Sequence, residues 1–440
     1  MNQIRYLLFL LPLAFCGAAA QTKTDTLAGP VTLEQCIRYA LKNQPGVQQS
    51  LLDEEITERD IRASLAGWLP QVSGDANLSH YLKRPTTLFN GQPVQIQPSY
   101  SSLFGVEANQ SIFSTGLVLA SKASRFTREQ SRQNTELTRI ATVTDVSKAY
   151  YNILTSQEQL RILDEDILRL EKQLKDSYAQ YQAGIADKTD YQRATITLNG
   201  ARAQKKTTAE SLNYKYAYLK QLIGLSPQTP IQLAVRSTGM EQEMLLDTLQ
   251  ALNYDNRVEI RQLRTRQQLL ALNTSYYRYG FLPEVSAFVN YNLSYQNNRF
   301  QDLYSTKYPN SQAGLTLSIP IFTGTRRLQN LRRAELQERR MELDLVDTRN
   351  AVNTEYQTAI ASYRSNLNEW KTYQANVALA RDVYNTIKLQ YNEGIKTFLE
   401  VTIAESDLRT AEISYLNALY SVLSSKLDVQ KASGTLPVNP

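Results

Sequence analysis

Few residues in this chain are placed to make or break bonds. His80 is the only histidine, and with no second ligand at a metal-binding spacing it reads as a surface residue. Cys36 sits in a helical pattern and reads as a packed thiol rather than a nucleophile. Neither a Gly-rich phosphate loop nor a His-Glu-x-x-His pair occurs. The expectation is no enzyme, no cofactor and no metal site. The polar residues that do recur at a fixed spacing stand at two turns. Tyr181-Gln182-Ala183-Gly184-Ile185 is matched by Tyr391-Asn392-Glu393-Gly394-Ile395. Three residues after each glycine comes a good helix N-cap, Asp187 or Thr397, and six after it an acid, Asp190 or Glu400. A cap oxygen and a carboxylate at the third helical position satisfy free amides and favour the helix dipole. Each glycine suits the left-handed conformation that ends a helix. The chemistry on offer is hydrogen bonding and charge at helix ends.

Very long helices must position these turns. From Leu117 to Ala183, and again from Thr325 to Glu393, there is no Gly or Pro. A helix of that length spans about 100 Å at 1.5 Å per residue. Leu160, Leu163, Ile167, Leu170 and Leu174 alternate three and four apart, followed by Tyr178, and Trp370, Tyr373, Val377, Ala380, Tyr384 and Ile387 do the same. Tyr181 and Tyr391 continue these coiled-coil seams. The predicted hairpins run over about 117–223 and 325–433. Before each hairpin come a short helix, a medium helix and two alternating strands, at about 70–81 and 102–113, then 283–295 and 312–322. Leu69-Pro70 and Leu282-Pro283 open the strand pairs, and Thr115-Gly116 and Thr323-Gly324 close them. The turn glycines, 394 against 184, are offset by 210, and the other matches fall within a few residues of that offset. The spacing predicts an internal duplication, 31–236 and 245–434, mainly α with a small β part.

Net charge is +6, with hydrophobic residues at 42% and charged residues at 20%, and the basic residues form no long run. A nucleic-acid face is therefore not expected. Arg5, the apolar stretch Tyr6 to Phe15 and Ala18-Ala19-Ala20 read as a signal peptide over 1–20. Phe15 before Cys16 disfavours a lipid anchor there. No other stretch approaches the roughly 20 apolar residues of a membrane helix. Each strand has one apolar face and one face of small polar residues, such as Val72, Gly74, Ala76 and Leu78 against Ser73, Asp75 and Asn77. Aromatic residues, including Trp68, Tyr81, Phe281, Tyr295 and Tyr304, stand near the strand ends. Outer-membrane strands are built this way, with one face on lipid and the other on water. Four strands are too few to close a barrel, since an open edge in lipid leaves backbone groups unpaired. Closure must come from several chains, and three would supply twelve strands.

Thr32-Leu33-Glu34-Gln35-Cys36-Ile37, Leu-Pro at each strand start, Ser318-Ile319-Pro320-Ile321-Phe322-Thr323-Gly324 and the two Tyr-x-x-Gly turns occur here in one order. In that order they resemble the TolC family of outer-membrane efflux ducts, and the resemblance covers Val31 to Gly434. It implies a homotrimer with a twelve-stranded barrel in the outer membrane and a helical tunnel in the periplasm. It also implies docking to a periplasmic adaptor and an inner-membrane pump. In that family polar links close the tunnel's periplasmic end. By resemblance the linking tyrosine falls on Tyr391 and its carboxylate partner on Asp190. The basic link falls on Lys396 with Thr189 as partner, and an acidic ring falls on Glu400. Ile403 stands where a second acid is usual. Gly184, Gly394, Tyr181, Asp187 and Thr397 become the turn and docking residues. The competing function is a structural coiled-coil surface protein without a pore, which would have no use for the alternating strands.

Overall fold

The computed structural model describes residues 29–234, 240–247 and 251–438. The expected leader at 1–20 and Cys16 lie outside the described residues. β1 (Pro30–Val31) leads into α1 (Leu33–Asn43), whose N-cap Thr32 and Gln35 exchange hydrogen bonds in a capping box. α2 (Pro45–Leu65) follows after the single residue Gln44. It starts at Pro45, because proline at the first helical position loses no hydrogen bond. β2 (Gln71–His80) comes next, then β3 (Thr87–Phe89) and β4 (Gln92–Val94), then β5 (Tyr100–Phe113). β3 and β4 form a small hairpin between the long strands β2 and β5. Asn90 and Gly91 make its turn with φ of 49° and 75°, the signature of a two-residue hairpin turn.

α3 (Thr115–Gln182) and α4 (Lys188–Ile223) make the first long hairpin. β6 (Gln232–Leu233) pairs in parallel with β1. α5 (Val258–Arg278), β7 (Glu284–Asn297), β8 (Lys307–Ser318), α6 (Arg326–Asn392) and α7 (Phe398–Ser433) complete the chain. β8 corrects the expected strand at 312–322. Its partner β7 begins at Glu284, which pairs with Ser318, so Ile319 to Phe322 have no strand to bond to. At the other end β8 extends back to Lys307 through Pro309, which the edge position tolerates.

The four long strands form one antiparallel sheet in the order β2-β5-β7-β8. Register puts like with like across it. Val72, Ala108, Val289 and Ala313 lie in one row, while Asp75, Gly105, Asn292 and Asn310 lie in a row on the opposite face. Phe288 breaks the polar face, and Gly314 beside it makes room: a Cβ there would stand 2.9 Å from the Phe288 ring. Among the described residues nothing covers the apolar face. Val72, Val106, Val289, Leu315 and Leu317 are all more than half exposed. Each Å² of such apolar surface costs about 25 cal/mol to leave in contact with water.

The core lies midway along the long helices. Val146, Ile153 and Leu154 of α3 pack with Val422 and Leu423 of α7 and with Cys36 and Ala40 of α1. Smaller clusters continue each seam toward the tips, Leu170 with Leu198 and Ala201, and Tyr384 with Val401, Ala404 and Leu408.

Candidate functional site

The tips of the two hairpins are built alike. Gly184 and Gly394 adopt φ of 73° and 74°. After each, the isoleucine amide reaches back to a carbonyl one turn earlier, Ile185 to Gln180 at 2.9 Å and Ile395 to Gln390 at 2.8 Å. This is the six-to-one closure of a helix ending in a left-handed glycine. It leaves Ile185 and Ile395 on the outside, 78% and 71% exposed. An exposed branched apolar side chain at the very end of each long hairpin is a surface suited to contact.

The return helices begin differently. Thr397 caps α7 in a full capping box: its hydroxyl accepts the Glu400 amide, and Glu400 Oε2 accepts the Thr397 amide at 2.9 Å. Glu400 Oε1 also takes a hydrogen bond from Lys396 Nζ at 2.7 Å. Lys396 first, then the Thr397 amide, hold the Glu400 carboxyl down at about 2. At the other tip Asp187 accepts the Thr189 amide at 2.8 Å, and Asp190 completes no such box. The Asp187 carboxyl is held low by that amide, while burial, with Asp187 adding to it, raises Asp190. The two acids that looked equivalent in sequence therefore differ: Glu400 is a paired anion and Asp190 a half-buried one.

Tyr391 joins the two hairpins. Its hydroxyl donates to Gln180 Oε1 of α3 at 2.9 Å, and its ring meets Phe398 edge-on with centroids 6.1 Å apart. The partner is Gln180, where the resemblance pointed to Asp190. A neutral amide oxygen accepts in this half-buried place without desolvating a full charge. Tyr181 leans on Tyr191 at 5.1 Å, and Tyr178 meets Tyr191 edge-on at 5.5 Å. Lys396, expected opposite Thr189, pairs with Glu400 inside its own tip, and Thr189 serves the Asp187 cap. Gln180 and Tyr191 carried no motif that would single them out in sequence.

Further along the hairpins lies a group that no spacing announced. Asp166 of α3 is fully buried and takes Arg409 of α7 at 2.9 Å and Arg169 at 3.1 Å. Glu405 of α7 is 1% exposed beside it. At the far end of the molecule His80 stacks on Tyr100 at 4.2 Å with its Nδ1 3.0 Å from the Ser99 carbonyl. Among the described residues, no helix is long and apolar enough to cross a membrane.

A family model described as outer membrane efflux protein matches residues 36–225 and 250–435. The chain is 21% identical over 439 residues to the outer membrane protein TolC of Vibrio cholerae, covering 97% of this chain and 95% of that protein. It is 22% identical over 419 residues to the alkaline protease secretion protein AprF of Pseudomonas aeruginosa, covering 90% and 83%. Among solved structures, one of CusC superposes with a TM-score of 0.75 at 18% identity, covering 91% of both chains.

Proposed function

The chain belongs to the outer membrane efflux protein family and resides in the outer membrane, and we propose that three copies of it form a passive export duct. The observation that carries this reading is the sheet. It has one bare apolar face, one polar face and two open edges, β2 and β8. A bilayer would cover the apolar face, and edge-to-edge pairing of three sheets would close a twelve-stranded barrel with no free backbone groups. The long hairpins then extend as a helical tunnel into the periplasm. We read the two halves of the chain as structural repeats, since each runs helix, strands, long helix, turn and long helix in the same order.

The six tips of the trimer would meet a periplasmic adaptor and, through it, an inner-membrane pump. Exposed Ile185 and Ile395 suit such contact. In this reading Tyr391, Lys396, Glu400, Thr189 and Asp190 set how tightly the periplasmic mouth is held. A family described by efflux and a relative named for protease secretion support a cargo of small molecules or secreted proteins. The test is direct. Purified in detergent, the protein should run as a trimer and give discrete pores in planar bilayers. A monomer soluble without detergent would sink the duct and favour a coiled-coil surface protein.

A further inference from the structure

The two hairpins touch along α3 and α7, and their contact contains a buried charge cluster that the duct reading does not use. Asp166 and Glu405 are 0% and 1% exposed. Asp166 is fully served, by Arg169 at 3.1 Å and by Arg409 at 2.9 Å. Glu405 is not: among the described residues neither of its oxygens has a hydrogen-bond partner, and its nearest cation, Arg169 Nε, stands 3.6 Å away. The charged groups facing Glu405 are Asp166 and Arg169 on α3, Lys388 on α6 and Arg409 on its own helix. A buried carboxylate without donors is costly as an anion and much less so as the neutral acid.

We propose that Glu405 and Asp166, with Arg169 and Arg409, form a proton-sensitive latch that clamps α7 of the second hairpin to α3 of the first. With Glu405 neutral, Asp166 is the one anion bridging the two arginines across the helices. Loss of the Glu405 proton to solvent puts a second anion beside it in the same dry layer, and the contact loosens. Glu405 lies about two turns into α7, on the tip side of the core that joins the hairpins, so the loosening would free the tip-ward halves of the helices.

The pH window follows from the direction of titration. Burial, and secondarily Asp166, push the Glu405 carboxyl from 4.5 up to about 7. A carboxyl raised by folding stabilises the folded contact in its protonated form. That contribution is whole below 4.5 and is lost as pH climbs through about 7.

Amide hydrogen exchange on the full-length protein in detergent tests this, whether or not the protein forms pores. The probes are peptides covering residues 160–172 and 400–412, compared at pH 6 and pH 8 after correction for intrinsic exchange. In the wild type, protection should fall about tenfold, the equivalent of one pKa unit. In Glu405→Gln and Glu405→Leu, which cannot ionise, protection should stay level. Leu also guards against a folding defect in the amide variant, because it leaves no polar atom without a partner in the dry layer. The same fall in wild type and both variants, or no fall in the wild type, would overturn the latch.

Discussion

Tyr391 and Lys396 look like equal partners in a closing mechanism, yet their contacts separate them. Tyr391 spans two hairpins through Gln180, whereas Lys396 is spent on Glu400 one turn along its own chain. Removing the Tyr391 hydroxyl deletes a cross-hairpin hydrogen bond, about 1 kcal/mol. Tyr391→Phe should therefore raise single-channel conductance by loosening the mouth. Lys396→Ala should act differently, leaving Glu400 capped by Thr397 but unpaired, and so shift ion preference toward cations. Reversal potentials across a salt gradient separate the two effects. Unchanged conductance in Tyr391→Phe would leave that residue only its ring contact with Phe398. At this scale the sequence was readable where a residue acts on its own neighbours. Thr397 with Glu400 and Thr32 with Gln35 are capping boxes, visible from a spacing of three. Gln180, 211 positions before Tyr391, and Arg409, 243 positions after Asp166, carry no such mark.

The helices end where backbone geometry tells them to, and neighbouring elements decide how much each end matters. Gly184 and Gly224 share a left-handed conformation, at φ of 73° and 72°. Around Gly184 there is open space, but a Cβ on Gly224 would stand 2.5 Å from the Asn43 carbonyl oxygen, at the junction of α1 and α2. Gly184→Ala should cost only the left-handed strain, about 1–2 kcal/mol. Gly224→Ala must add the displacement of a neighbouring backbone, typically ~1–3 kcal/mol more. Thermal unfolding in detergent, followed by circular dichroism, should show a clearly larger drop for Gly224→Ala. An equal drop would mean that α4 docks on Asn43 more loosely than its geometry implies. Long helices were legible because the absence of Gly and Pro over such stretches leaves few alternatives. The end of β8 was not. Ile319 to Phe322 have strand-like composition, but a strand ends where its partner does, and that depends on register with β7.

For the whole molecule the sheet is the decisive part, because its apolar face has no intramolecular partner among the described residues. If lipid covers that face, a charge in its middle should be far worse than the same charge one residue along. Val289→Arg places a guanidinium on the apolar face, at a cost of roughly 2–4 kcal/mol near the bilayer midplane. Asn290→Arg places it on the polar face, where water meets it. The yield of membrane-inserted trimer should fall sharply for Val289→Arg and hold for Asn290→Arg. Equal yields would remove lipid from the apolar face.

Sequence by itself determined the elements and their faces: hairpin helices with continuous seams, paired turns at Gly184 and Gly394, and strands alternating apolar with polar residues. Local rules govern these, since caps, periodicity and chain punctuation act over a few residues. Only the tertiary structure decided the pairings across long separations. It set Tyr391 on Gln180, paired Glu400 with Lys396 while leaving Asp190 outside any capping box, and brought Asp166 and Glu405 into one dry layer. Those outcomes depend on how two hairpins lie against each other, and a residue's environment there is made by side chains hundreds of positions away.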